Sequence, residues 1–186
     1  MPLLIKKVVS MKARVKHIAI VGLGLMGGSL ALRIKKDMPG VTVYGVSRGR
    51  SKMRAARRKK IIDDGVTTLR ALFAKRRVDL VVIARPVGAI QKTVDEVERE
   101  SRSPVLVTDV GSTKGKLVRW AERQSFSKVA FVGSHPMAGS HEAGLGAASA
   151  ALYDHSFCFI TKTRKTSPNA VRAVENVWRR LGVKTY

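Results

Sequence analysis

The chain alternates two kinds of stretch. Short apolar runs rich in β-branched residues alternate with longer stretches in which apolar residues recur at helical spacing. His17 to Val21 is the first short run, its two isoleucines and valine suited to a pleated, buried strand. A helix is expected from Leu25 to about Lys35, then turn material at Asp37-Met-Pro-Gly40 and a second strand from Val41 to Val46. A strongly basic helix follows toward Lys60 and closes at Asp64-Gly65, and Leu69, Leu72 and Phe73 form the apolar side of a short helix. Val78 to Ala84 is apolar but for Asp79 and lies between charged residues, the pattern of a central parallel strand covered on both faces. Val87 to about Ser101 reads as an amphipathic helix and Pro104 to Val110 as the next strand; a helix then carries Leu117, Val118 and Trp120. Strands at Lys128–Gly133 and Phe157–Thr161 precede a last helix. Ser167 caps that helix, Pro168 opens it, Val171, Val174, Trp178 and Leu181 form its inner face, and Gly182 ends it; Lys184 to Tyr186 begins a strand. No internal repeat or low-complexity linker interrupts the alternation. It predicts an α/β domain, doubly wound around a largely parallel sheet.

Length and composition narrow this picture. The 186 residues suit one domain with a full core. Met1 to Val15, with Lys6, Lys7, Lys12 and Arg14, reads as a basic N-terminal extension, and Met11 is a candidate alternative start; the domain proper is expected over 16–186. A single cysteine, Cys158, excludes an internal disulfide and has no neighbours suggesting a metal cluster, as expected of a reducing compartment. No apolar run has membrane-spanning length, and the start is a poor signal peptide. The expected location is cytoplasmic, without membrane association. Charge is the unusual feature: 36 Lys and Arg against 13 Asp and Glu give a net charge of +23. Such a field attracts phosphorylated cofactors, dicarboxylates and nucleic acid alike. The basic residues are spread over many segments, however, aromatic residues for base stacking are few, and no nucleic-acid-binding signature is present. The expectation is salt-dependent nonspecific attraction without a specific nucleic-acid partner.

The first chemical motif sits between the first strand and first helix. Gly22, Gly24 and Gly27 have the spacing G-x-G-x-x-G, which turns the chain tightly, admits a pyrophosphate close to the backbone and lets the helix pack on the sheet. With Leu25 and Met26 they make a Rossmann-type dinucleotide site, because the helix start aims its unsatisfied N–H groups at the phosphates. The end of the second strand meets the adenosine ribose in such a fold. Here it reads Ser47-Arg48-Gly49-Arg50, with no acid until Asp63. A carboxylate would repel a 2′-phosphate, whereas arginine offers it a planar fork of donors, so Ser47, Arg48 and Arg50 favour NADP over NAD. Most of the basic residues from Lys52 to Lys60 read as a solvated helix face. Ala84, Arg85 and Pro86 leave the central strand at the crevice, Ala84 and Pro86 toward the cofactor and Arg85 either as an anion contact or as a charged rim residue. Asp109-Val-Gly-Ser-Thr-Lys-Gly115 follows the next strand. Gly111 permits close approach there, and Ser112 and Thr113 can cap the following helix, Ser112 otherwise being a hydroxyl that faces the crevice. His135, straight after a strand and fixed by Pro136, is a candidate ligand-contacting imidazole; His141 and His155 read as surface residues.

Three segments together, GLGLMGGSLAL from Gly22, DVGSTKG from Asp109 and SHPMAGSHEAG from Ser134, resemble the prephenate and arogenate dehydrogenases of tyrosine biosynthesis. The resemblance covers the chain from Lys16 onward and only the nucleotide-binding half of the family. It implies an oxidative decarboxylation of prephenate or arogenate, in which hydride leaves the carbinol carbon for the nicotinamide while the ring carboxylate departs as CO2. In that resemblance His135 is the catalytic histidine that accepts a hydrogen bond from the ring hydroxyl. Ser112 orients it, Ser140 lies near the substrate, and Arg85 is the candidate cation for a substrate carboxylate. Family members normally continue into a helical domain that forms the dimer and brings an arginine to the substrate; this chain ends before it. The missing half of the pocket is then expected from a homodimer arrangement or a separate partner domain. The alternatives are a cofactor-binding module without catalysis of its own, and a β-hydroxyacid dehydrogenase-like protein. The latter shares the GLG-x-MG loop but needs a catalytic lysine on a long helix that is not present here.

Overall fold

A computed structural model describes residues 15–186, so the basic stretch 1–14 lies outside the described residues. In chain order the elements are β1 (His17–Val21), α1 (Leu25–Asp37), β2 (Thr42–Val46), α2 (Arg50–Arg58), β3 (Asp64–Val66), α3 (Leu69–Lys75), β4 (Leu80–Ile83), α4 (Ile90–Glu100), β5 (Val105–Asp109), α5 (Gly115–Arg123), β6 (Val129–Pro136), β7 (Phe157–Thr161), α6 (Pro168–Arg180) and β8 (Lys184–Thr185). Single 3-10 turns stand at Val87–Ala89 and Ala150–Tyr153.

The strands form one eight-stranded sheet in the order β3-β2-β1-β4-β5-β6-β7-β8. From β3 through β6 every neighbour is parallel, β7 runs antiparallel to β6, and β8 is parallel to β7. The order reverses between β1 and β4, and a crevice opens at that point beyond the carboxyl ends of the strands. Helices cover both faces. Ile18, Ile20 and Val43 pack with Leu30 and Ile34 of α1, Met53 of α2 and Val174 and Trp178 of α6 on one face. Ala19, Val21, Val81 and Ile83 pack with Leu72 of α3, Val94 of α4 and Leu117 of α5 on the other. This two-sided burial is why the residues from Leu80 to Ala84 are apolar without a break. The start of β1 is pinned by buried Asp79, whose Oδ2 accepts from the Lys16 and His17 amides at 3.0 and 2.9 Å. Val15 is buried with the first core cluster.

Two expectations are corrected. Asp64-Gly65 does not end the basic helix, which stops at Arg58; both residues belong to edge strand β3, in register with Tyr44 and Gly45. Three residues with an acid and a glycine show no strand periodicity, and pairing to β2 decides their conformation. Nor do Ser112 and Thr113 cap α5. The helix starts at Gly115 after Lys114, without a side-chain cap, and both hydroxyl residues are exposed.

Candidate active site

The glycine loop joins β1 to α1 at the topological switch point. Gly22 adopts φ +103°, and a Cβ there would stand 2.3 Å from the Ala84 carbonyl oxygen at the end of β4. Its amide donates to the Val46 carbonyl at 2.9 Å, which ties the loop to the end of β2. A Cβ on Gly27 would lie 2.0 Å from the Gly22 oxygen and 3.0 Å from the Ala84 Cβ, so α1 seats directly on the sheet. Gly24 differs. It stands at the start of α1 without a side-chain cap, no acid occupies the first turn, and a Cβ there would meet nothing within 4 Å. Gly28 is the first of these residues whose amide closes back on the loop, donating to the Gly24 carbonyl at 2.9 Å. The unsatisfied amides of a helix start and open space beside Gly24 are what a pyrophosphate requires, so these residues fit a dinucleotide.

The carboxyl end of β2 supplies the second part. Ser47 is half-buried and its amide donates to the Val66 carbonyl at 3.2 Å; Arg48 and Arg50 are exposed and enter none of the ion pairs among the described residues. The nearest acids in sequence point elsewhere. Asp63 sits at the opposite end of β2, accepting from the Val43 amide and pairing with Lys35, while Asp64 pairs with Arg57 and Arg76. The remaining cations of α2 are exposed, and only Met53 and Ala56 turn inward.

Ala84 continues β4, its amide donating to the Val21 carbonyl at 2.8 Å, and Pro86 precedes the turn into α4. The Arg85 guanidinium folds along α4, with Nη1 donating to Thr93 Oγ1 at 3.1 Å. Beyond β5, Gly111 is buried and Ser112 exposed, on the same edge of the sheet as the glycine loop. His135 does not follow the strand as expected but lies within it, half-buried near the end of β6 and opposite Phe159, because pairing with β7 extends β6 to Pro136. It borders a cleft of about 480 Å³ lined by residues 135–139, Leu152 and residues 154–156. Ser140 lies just past that lining, exposed, and its hydroxyl accepts from the Glu142 amide at 3.2 Å. His141 and His155 are exposed, as expected of surface residues.

Several supporting residues escaped the sequence reading. Asp109, fully buried, accepts from the Gly111 and Ser134 amides and from Lys114. Burial pushes its carboxyl above the usual carboxylate range, against the opposing pull of Lys114. Ser134 Oγ lies 2.7 Å from Thr108 Oγ1 and accepts from Trp178 Nε1 at 3.1 Å, joining β5, β6 and α6 immediately before His135. Tyr153 donates its hydroxyl to the Met26 carbonyl at 3.1 Å and thereby ties the segment after β6 to the first turn of α1; burial raises its pKa. Cys158 is buried and its thiol is pushed up to about 12, so it stays protonated at neutral pH. The only signal in the sequence for the Asp109–Lys114 contact was an acid and a base flanking one glycine-containing turn.

Residues 30–186 match the family described as prephenate dehydrogenase, nucleotide-binding domain. The chain belongs to this family. It is 37% identical to prephenate dehydrogenase of Bacillus subtilis (strain 168) over 161 residues, which is 86% of this chain and 43% of that protein. Among solved structures it resembles the Aquifex aeolicus prephenate dehydrogenase in complex with hydroxyphenyl propionate and NAD+, with a TM-score of 0.85 and 29% identity, over 94% of this chain and 60% of that one. The Synechocystis arogenate dehydrogenase gives a TM-score of 0.81 at 30% identity, over 91% and 58% of the two chains. The chain therefore spans less than half of the B. subtilis relative's length and about three fifths of that of the solved ones. The doubly wound, Rossmann-type architecture is shared with both solved structures.

Proposed function

We propose that this domain takes part in the NADP-dependent oxidative decarboxylation of prephenate or arogenate. The observation that carries the reading is the placement, all at the carboxyl edge of one sheet, of an open glycine cradle, a serine that caps no helix and a half-buried histidine beside a cleft. Gly22, Gly24, Leu25, Met26 and Gly27 hold the pyrophosphate, and Ser47, Arg48 and Arg50 the 2′-phosphate. Ala84, Pro86 and Gly111 line the crevice between them. Bound there, the nicotinamide supplies the hydride acceptor.

The rest of the work falls to the protein. His135 accepts a hydrogen bond from the ring hydroxyl and draws off its proton as hydride leaves the same carbon, a general-base role for which an imidazole is chemically apt. Ser112 orients the imidazole, and Ser140 contacts the substrate. Loss of CO2 restores the aromatic ring and drives the reaction, so the protein's contribution is orientation and polarisation. The test is direct: NADP and prephenate are mixed with the chain and absorbance of the reduced nicotinamide is followed. Turnover that disappears in His135→Asn while cofactor affinity stays near wild type supports the catalytic role of the imidazole; an unchanged rate in that variant overturns it.

A second reading has a specific observation in its favour. Prephenate carries two carboxylates, yet neither Lys nor Arg lines the cleft beside His135, which instead includes Asp154, and Arg85 is engaged with Thr93. On this reading the domain binds cofactor and turns over substrate only when a partner domain or a second copy supplies a cation. Saturable NADP binding without reduction by the chain alone is its expected signature.

A further inference from the structure

A loop after β5 and the end of strand β6 carry the groups to which the proposed chemistry assigns the reaction, and one buried carboxylate touches the backbone of both. Asp109 closes β5 with no exposed surface. Its Oδ2 accepts from the Gly111 amide at 2.9 Å and from Lys114 Nζ at 2.6 Å. Its Oδ1 accepts, at 3.3 Å, from the amide of Ser134, the residue before His135. Lys114 Nζ also donates to the Gly111 carbonyl at 2.6 Å, so the amide and the carbonyl of Gly111 are both held. The lysine stem crosses to the second strand: a Cβ on Gly133 would come 3.2 Å from Lys114 Cδ.

A buried ion pair is a poor device for stability alone, because desolvating both ions offsets most of their attraction. This one lies at 11% and 0% side-chain exposure, where apolar residues of similar size would pack. What it does have is geometry. Among the described residues, the bonds at Gly111 are the hydrogen bonds that hold the turn over 111–113, since neither Ser112 nor Thr113 caps the following helix. We propose that Asp109 and Lys114 are positioning residues, a clamp that sets the orientation of Ser112 relative to His135. The inference rests on the assignment of those two residues to the reaction. A displacement of about 1 Å in such a pair can cost on the order of a hundredfold in rate, which is the scale of effect a clamp protects.

The experiment compares wild type with Lys114→Met, Lys114→Arg and the double variant Asp109→Asn/Lys114→Met. Four properties are measured: kcat and KM for prephenate, NADP affinity, thermal midpoint, and amide hydrogen exchange over residues 110–114. Lys114→Met is expected to lower kcat by about 10- to 100-fold, leave NADP affinity within about twofold and speed exchange at Gly111. Lys114→Arg restores part of the rate. The double variant, which leaves no buried charge unpaired, recovers the thermal midpoint but stays slow. A double variant with wild-type kcat overturns the proposal, as does a loss that falls on NADP affinity instead of kcat. If the wild-type chain reduces no cofactor, it is the functional reading that fails or needs a partner, and exchange still judges the clamp: unchanged protection of Gly111 in Lys114→Met and in the double variant refutes it.

Discussion

Gly24 and Gly27 stand three residues apart and have opposite reasons to lack a side chain. A methyl group on Gly27 collides with the Gly22 carbonyl, whereas one on Gly24 enters empty space, which the proposed function assigns to the phosphates. Gly27→Ala is therefore expected to destabilise the fold by about 1–3 kcal/mol, the usual cost of overpacking. Gly24→Ala should leave the thermal midpoint nearly unchanged and weaken cofactor binding about tenfold or more; denaturation and cofactor titration of the two variants separate the effects. Arg48 offers a second contrast. Its replacement by alanine should weaken NADP by about ten- to a hundredfold, in line with a lost charge-assisted bond of about 1.5–3 kcal/mol, and leave NAD nearly unaffected. Equal weakening of both cofactors would remove the 2′-phosphate assignment.

Among the elements, α4 shows how a helix is tied to its neighbours by a single acid. Glu98 receives the Ser127 hydroxyl and the amides of Ser127, Lys128 and Val129, so the helix organises the turn that leads into β6. Burial raises the Glu98 pKa, but these hydrogen bonds outweigh it and hold the group below its ordinary 4.5. Because the folded value lies below the unfolded one, its contribution to stability is fully present above about pH 4.5 and is lost as pH falls through the folded value. Glu98→Gln should lower stability at pH 7 and lose less of it than wild type on acidification, which denaturant titrations at pH 7 and in the acid range would show. Equal acid sensitivity in the two proteins would mean that other carboxylates govern the transition. The elements read well from sequence where a strand is buried on both faces, as with β4, or where a helix has a strong cap, as with Ser167 before α6. They read poorly at β3 and at the start of α5, where a neighbour's backbone or a buried ion pair replaces the local signal.

The whole molecule carries a charge of +23, and its cations are spread through many of its elements. Duplex nucleic acid is therefore expected to bind weakly at low salt and to be released steeply as salt rises, since the attraction is chiefly counterion release. Retention of one duplex sequence over others at physiological ionic strength, measured by competition, would contradict this. Among the described residues no helix is long and apolar enough to cross a membrane. Exposed aromatic residues do gather on one sheet face, where Phe157, Phe159 and Tyr186 meet edge to face or tilted beside the strand that carries His135.

The order of strands and helices apart from β3, the glycine loop, the basic corner after β2 and the placement of Ser112 and His135 toward strand ends were legible in the sequence. Each rests on local periodicity or on a short motif whose chemistry its neighbours in the chain express. The antiparallel turn into β7, the release of Ser112 from helix capping, the diversion of Arg85 to Thr93 and the hold of Asp109 on Gly111 and Ser134 were settled only by the tertiary structure. Those features depend on contacts between residues distant along the chain, or on which of several nearby partners a charged group selects once water is excluded.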